Sequence, residues 1–215
     1  MNLLWKTISK ISYSLVYKKF MDSKSYQDHF FRKAKIQGYR SRSAFKLIEL
    51  DNKFRFLKNG IKLLDVGSFP GGWCQVAKAK IKNGKILGID KKKIEEIRGV
   101  KFIKGDFLDE KSKKIIIEYF NSSIDVILSD MAPNTTGNKK LDCIRTNQLC
   151  LDILDFSKEK LSKNGTVISK FFMGEEFPEI KTKAKKYFKT IDFFKPNSSR
   201  GESRETYIHC SGLST

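Results

Sequence analysis

The sequence predicts an α/β domain in which a seven-stranded, mostly parallel sheet with an antiparallel last strand carries helices on both faces. Three observations point there. From residue 61 onward, short β-rich apolar runs alternate with segments of helical periodicity. A glycine turn follows directly on the first run and leads into a helix, as at the crevice of an open parallel sheet. The last two runs are separated only by Lys195 to Glu205, too short for a helical crossover, so they pair as an antiparallel hairpin.

The strands are expected at Ile61 to Val66, Lys85 to Asp90, Val100 to Lys104, Ile124 to Asp130, Thr166 to Phe172, Thr190 to Phe194 and Thr206 to Cys210. Helices are expected near Trp73 to Ile81, Lys113 to Phe120, Thr146 to Leu161 and Glu179 to Phe188. In the longest, Leu149, Ile153 and Phe156 share a face, with Cys150 and Leu154 beside them. No internal repeat or low-complexity tract interrupts the pattern, so residues 25–215 read as one domain. Residues 1–24 form a separate basic segment: Leu4, Ile8, Ile11 and Leu15 fall on one helical face, and no acid occurs before Asp22. Acid-free and hydroxyl-rich, this stretch is similar to an organellar transit peptide, although it uses Lys where such peptides favour Arg. A mitochondrial or other organellar address is one expectation. The other is a helix docked on the domain or on RNA in the cytoplasm or nucleus.

Composition narrows the function classes. With 215 residues, 40% hydrophobic and 31% charged, the chain is neither a disordered polyampholyte nor a membrane bundle, and no stable membrane association is expected. Lys plus Arg number 43 against 24 Asp plus Glu, a net charge of +19 that a polyanion would relieve. Nucleic acid is the leading partner. Only eight of the 43 are arginine, which favours contact with the phosphate backbone over base reading. Residues 1–46 hold eleven Lys or Arg against Asp22 and Asp28, so the excess gathers at that end. Cys74, Cys143, Cys150 and Cys210 show no metal-ligand or disulfide spacing, so no metal is expected and a reducing compartment is. His29 and His209 are the only histidines, and His209 reads as a packed strand residue.

The glycine turn reads Asp65-Val66-Gly67-Ser68-Phe69-Pro70-Gly71-Gly72-Trp73. It lacks the G-x-G-x-x-G of dinucleotide sites, and Pro70 removes a backbone donor that a pyrophosphate would use. It also lacks the G-K-[ST] of phosphate-gripping loops. Asp90, ending the second strand, can accept from both ribose hydroxyls of a nucleoside, and Asp106, after the third, from an exocyclic amine. Loop and acids together describe a pocket for an adenosine without phosphates, for which S-adenosyl-L-methionine is the obvious candidate. Further along, Asp130 closes the fourth strand and Lys170 interrupts the apolar run Val167 to Phe172. A lysine among buried strand residues needs a partner, and Asp130 is one strand away.

These segments resemble the FtsJ/RrmJ-type RNA ribose 2'-O-methyltransferases over about Asp28 to Gly212. The resemblance rests on Tyr39-Arg40-Ser41-Arg42-Ser43-Ala44-Phe45-Lys46-Leu47, the glycine turn Asp65 to Trp73, Ser129-Asp130-Met131-Ala132-Pro133-Asn134, Lys170, and Lys195-Pro196-Asn197-Ser198-Ser199-Arg200 with Ser203-Arg204-Glu205. It implies a Rossmann-like class I methyltransferase fold and a Lys-Asp-Lys-Glu catalytic tetrad on Lys46, Asp130, Lys170 and Glu205. It implies S-adenosyl-L-methionine held by Asp65, Gly67, Ser68, Pro70, Gly71, Gly72, Trp73, Asp90, Asp106 and Asp130, with S-adenosylhomocysteine as product. The chain departs from the family at Ser68-Phe69, where bacterial members carry two small residues. That alters packing near the methionine end rather than the chemistry.

The residue types suit the reaction, because a ribose hydroxyl is a weak nucleophile until its proton is removed or it is strongly oriented. Lys170 is expected as the base or steering group, held by Asp130, with Lys46 and Glu205 orienting the ribose. An amino-methyltransferase would show an aromatic after Asp130-Met131-Ala132-Pro133, and a cytosine-carbon methyltransferase a Pro-Cys nucleophile; neither occurs. Arg32, Lys33, Lys35, Arg40 and Arg42 on one rim and Arg200 and Arg204 on the other are expected to hold RNA phosphates. The compact length looks like the branch that methylates a uridine of large-subunit ribosomal RNA, with the ribosomal RNA or large subunit as partner and a monomer as the acting form. A tRNA methyltransferase is the runner-up. A non-catalytic assembly factor and a small-molecule methyltransferase are disfavoured by the complete tetrad and by the charge.

Overall fold

The structure is a computed structural model that describes residues 29–200 and 202–214. The expected N-terminal amphipathic helix, and the transit reading with it, falls outside the described residues. A helical segment over residues 29–36 (α1) leads to α2 (Ala44–Phe54), and then β1 (Lys62–Val66), α3 (Gly72–Lys80), β2 (Lys85–Asp90), β3 (Lys101–Lys104), α4 (Glu110–Phe120) and β4 (Ile124–Ser129). The chain continues with α5 (Lys139–Lys160), β5 (Leu161–Phe172), α6 (Phe177–Tyr187), β6 (Phe188–Phe194) and β7 (Glu205–Leu213).

One seven-stranded sheet runs in the order β3-β2-β1-β4-β5-β7-β6. The first five of these are parallel neighbours, whereas β7 inserts antiparallel between β5 and β6. The fold class read from the sequence is thus the one found. Boundaries moved where apolar periodicity gives out. Asn138 caps α5 by accepting from the Lys140 and Leu141 amides, so that helix begins seven residues before the expected Thr146. Its first two turns expose Leu141 and Ile144, which hid them from a reading based on a buried stripe. Helix α2 is not among the helices read from the sequence, yet it buries Ala44, Leu47 and Leu50 on one face.

Alternation along the strands sorts the core into two layers. Leu64, Leu87, Ile127 and Val167 point to one face, where Ile116, Leu154 and Ile180 from α4, α5 and α6 cover them. Leu63, Ile86, Leu128, Ile168 and Tyr207 point to the other, under Leu47 and Leu50 of α2 and Trp73 and Ala77 of α3. The same parity aims three charged side chains. Asp130 continues the phase of Leu128, Lys170 that of Ile168, and Glu205 that of Tyr207, so all are directed to the face that α2 crosses. None of the described helices is long and apolar enough to cross a membrane.

Candidate active site

The cluster begins with Lys170, only 6% exposed near the end of β5. Its ammonium donates to the Asp130 backbone oxygen at 2.8 Å and lies 3.0 Å from Asp130 Oδ1. From α2, Lys46 (8% exposed) approaches Asp130 Oδ2 at 3.8 Å and pairs with Glu205 Oε1 at 2.7 Å. Two amines and two carboxylates drawn from α2, the end of β4, β5 and β7 thus form one charge-balanced cluster. Balance is what makes its burial tolerable, since a charge left alone here would carry a desolvation cost of several kcal/mol, roughly.

Two further residues complete the cluster. The fully buried Tyr207 donates its hydroxyl to Asp130 Oδ1 at 2.8 Å, and Ser199 donates to Glu205 Oε1 at 2.8 Å. Sequence reasoning passed over both, although a signal for Tyr207 was present: it stands two residues after Glu205 in a strand and so shares its face. The register confirms that placement, with Tyr207 opposite Lys170 and Glu205 opposite Phe172. Burial pushes the Asp130 carboxyl up, but Lys170, Lys46 and the Tyr207 hydrogen bond outweigh it and hold the group below the usual aspartate range. The same burial, reinforced by Asp130 and Glu205, drives the Tyr207 phenol far upward, so it stays a proton donor.

Asp130 also lines a cleft of about 580 Å³ at the carboxyl ends of β1 to β4. Gly67, Asp90 and Asp106 line it as well, with Ile89, Phe107, Leu108 and Met131 as apolar walls. Gly67 has φ +77°, and a Cβ added there would lie 2.7 Å from Met131 Cγ. Asp90 Oδ2 accepts from the Phe69 amide at 3.1 Å and Oδ1 from the Lys92 amide at 2.8 Å, which ties the glycine turn to the end of β2. Asp106 pairs with Lys91 at 2.6 Å and accepts from the Leu108 amide. Desolvation pushes its carboxyl up, but Lys91 and that amide prevail and lower it.

Not every residue expected at the cofactor faces this cleft. Asp65 is fully buried beneath the turn, where the Cys74 thiol donates to Oδ2 at 3.1 Å and Oδ1 has no partner among the described residues. Desolvation pushes its carboxyl up to about 7, against the Cys74 hydrogen bond and with help from Asp130 and Asp90. The Ser68 hydroxyl is likewise buried, and a Cβ on Gly88 would sit 2.8 Å from it. Gly71, Gly72 and Trp73 turn instead toward the segment that leads into α2. A Cβ at Gly71 would meet Arg40 Nη1 at 2.9 Å, one at Gly72 would strike the Ser41 hydroxyl, and the Trp73 indole donates to the Ser43 oxygen at 2.8 Å. The Trp73 side chain is core, packed on Tyr207. Pro70 offers its carbonyl to Arg40 and does not line the cleft. The turn is therefore two-sided, with Gly67 and Phe69 on the cleft and Gly71, Gly72 and Trp73 against the segment before α2.

Among the residues expected at RNA, Arg40 is the one with the most internal hydrogen bonds. Its guanidinium donates to the backbone oxygens of Pro70, Glu95 and Glu96 at 3.3, 2.8 and 2.9 Å, which ties chain segments together while leaving its charge without an ion pair among the described residues. Arg32, Lys33 and Lys35 are exposed on α1, with the Lys33 ammonium 4.9 Å over the Phe45 ring. Arg200 and Arg204 are exposed as well. Arg42 is half-buried, and burial and Arg200 lower its guanidinium while Glu205 opposes them, which places it at the edge of the cluster. Among the described residues, no three His, Cys, Asp or Glu side chains gather as a metal set.

The model of the FtsJ-like methyltransferase family matches residues 39–213. A ribosomal RNA large subunit methyltransferase E of Pelagibacter ubique is 47% identical over 87% of this chain and 93% of its own length. A protein of the same name from Wolbachia pipientis is 46% identical over 84% and 93%. A crystal structure titled as a ribosomal RNA methyltransferase from Plasmodium falciparum superposes with a TM-score of 0.74 at 38% identity, covering 81% of this chain and 98% of that one. The two relatives are bacterial and lend the organellar expectation no support. With nearly the whole described domain inside the match, and the glycine turn, Asp130, Lys170 and Glu205 all within it, the chain belongs to the FtsJ-like methyltransferase family.

Proposed function

We propose that the protein methylates the 2'-oxygen of a ribose in large-subunit ribosomal RNA, at a uridine, from S-adenosyl-L-methionine, releasing S-adenosylhomocysteine. The observation that carries this reading is the convergence of Lys170 and Lys46 on Asp130, at 3.0 and 3.8 Å, beside the cleft that Asp130 also lines.

The cleft fits an adenosine that bears no phosphate. Its volume of about 580 Å³ suits a ligand of that size. Asp90, Asp106 and Asp130 present carboxylates that accept from ribose hydroxyls and an exocyclic amine but repel a pyrophosphate. Gly67 keeps the backbone side open, and Ile89, Phe107 and Leu108 offer apolar surface to a ring. When bound, S-adenosyl-L-methionine supplies an electrophilic methyl group on a sulfonium that departs as a neutral thioether.

The chain's own residues supply the rest. Lys170 spends two hydrogen-bonding positions on Asp130, which aims the third. That position steers the ribose hydroxyl and, in the neutral amine, accepts its proton. Asp130 keeps its negative charge because the two amines and the Tyr207 hydroxyl hold it ionised. Lys46 and Glu205, paired at 2.7 Å, present a donor and an acceptor to the same sugar. Arg32, Lys33, Lys35, Arg42, Arg200 and Arg204 take the flanking phosphates.

Incubation with methyl-labelled cofactor and, in parallel, deproteinised ribosomal RNA, intact large subunits or tRNA tests the reading. Label is expected in the large-subunit RNA, at one ribose resistant to alkaline cleavage. Label in tRNA alone would move the substrate to tRNA, and label in none would leave no methyltransfer to RNA.

A further inference from the structure

The geometry points to Glu49 as a positioning residue for the catalytic cluster, a role that rests on the methyl-transfer reading above. Glu49 lies one turn after Lys46 on α2 and so shares its face. Its carboxylate accepts from two consecutive backbone amides of the β6–β7 connection, Asn197 N at 2.6 Å to Oε2 and Ser198 N at 2.9 Å to Oε1. A single side chain thus grips a loop 148 residues away in sequence.

What the grip controls is the next residue. The Ser199 amide closes a turn onto the Pro196 oxygen at 3.0 Å, and the Ser199 hydroxyl, buried at 3% exposure, donates to Glu205 Oε1 at 2.8 Å. That same Glu205 oxygen lies 2.7 Å from Lys46 Nζ. Path and target close a ring: α2 holds the loop through Glu49, the loop holds Glu205 through Ser199, and Glu205 returns to α2 at Lys46. Glu49 therefore sets how far Glu205 stands from the amine it must face.

The chemistry of the grip requires a carboxylate. Two parallel amides need two acceptor oxygens, whereas a glutamine would offer one oxygen and turn an NH2 toward the second amide. Aspartate keeps both acceptors on a shorter stem. Glu49, Ser199, Glu205 and Lys46 do not themselves line the cleft, whose walls come from the ends of β1 to β4 and from α5.

Three variants, Glu49→Gln, Glu49→Asp and Ser199→Ala, are compared with the wild-type chain on large-subunit RNA. Glu49→Gln is expected to lower kcat about ten- to a hundredfold, the scale of a small misplacement at the reacting centre. Its affinity for S-adenosylhomocysteine by calorimetry should stay within about twofold, as for a distant, independent site. Glu49→Asp should recover part of the loss. Glu49→Gln combined with Ser199→Ala should be little worse than either alone, because both cut one path. Amide exchange over residues 195–200 should quicken in Glu49→Gln, a readout that needs no RNA. Wild-type kcat in Glu49→Gln, multiplying losses in the double variant, or unchanged exchange would each overturn the role. Absence of turnover in the wild-type chain would instead strike the methyl-transfer reading, leaving the exchange result to judge Glu49.

Discussion

The cleft and the amine–carboxylate cluster share Asp130 but are built by different means. Gly67, Asp90 and Asp106 stand at or just past the ends of β1, β2 and β3, three parallel neighbours joined in chain order, so one rule about strand ends places them all. Lys46, Asp130, Lys170 and Glu205 come from a helix, a strand end and two strands of opposite direction, and their meeting depends on β7 threading between β5 and β6. A one-residue slip of β7 would send Glu205 and Tyr207 to the wrong face while leaving the cleft intact. Binding and turnover should therefore be separable by substitution.

Lys170→Ala is the hardest test of that separation. Removing the amine that aims at the hydroxyl should lower kcat by about 10²–10⁴-fold, the range of one general acid–base group. Calorimetric affinity for S-adenosylhomocysteine should change little, because Lys170 itself does not line the cleft and Asp130, which does, keeps its Lys46 and Tyr207 partners. A large loss of that affinity would show that the two regions are one. Gly67→Ala is the reverse experiment. The added Cβ would sit 2.7 Å from Met131 Cγ on a backbone at φ +77°, so the cleft must deform. We expect at least about a tenfold weaker affinity for S-adenosylhomocysteine, roughly 1.4 kcal/mol. Unaltered binding would place the ligand elsewhere.

The same contrast explains what the sequence disclosed. The strand segments of the first half, the cleft acids Asp90 and Asp106 and the pairing of Lys170 with Asp130 were legible, because each follows from an apolar run or from a residue type at its end or inside it. The β6–β7 hairpin was legible from the length of its connection. The structural ties of Arg40 were not legible, because a basic residue in a basic stretch looks solvated and only the fold brings the Pro70, Glu95 and Glu96 oxygens around it. The packing of the Trp73 side chain was hidden for a related reason: the motif spells one continuous turn, whereas its second half packs against the segment that leads into α2. Glu49 and Ser199 lay beyond reach, since nothing in the text marks two residues 150 positions apart as ends of one path.

Asp65 offers a smaller, pH-dependent test on the cleft side. Its carboxyl titrates near about 7 in the folded chain and near about 3.9 when unfolded. Between those values the folded state keeps a proton that the unfolded state has lost, so stability falls as pH rises and the full cost is present above about 7. Asp65→Asn removes the titration. The melting temperature of the variant relative to wild type should therefore climb from pH 4.5 to pH 8. Each 1 kcal/mol amounts to roughly 2–4 °C in a chain of this size. A difference independent of pH would mean that Asp65 is ionised in its buried site. Turnover should not be the readout here, because the group sits beneath the glycine turn that shapes the cleft.

The least effect belongs to the rim, where exposed cations meet RNA through screened charge. Arg200 and Arg204 are exposed, and Arg204 directly precedes Glu205 in the chain. Each cation removed from a phosphate should flatten the dependence of log K on log salt by about 0.7–0.9. The Arg200→Ala, Arg204→Ala pair should therefore shift that slope by no more than about two, with weakening that fades as salt rises. Affinity for S-adenosylhomocysteine should be untouched. A loss of RNA binding that persists at high salt would instead mean that these side chains read a base or brace the β6–β7 connection, and the rim would then belong with the cluster it borders.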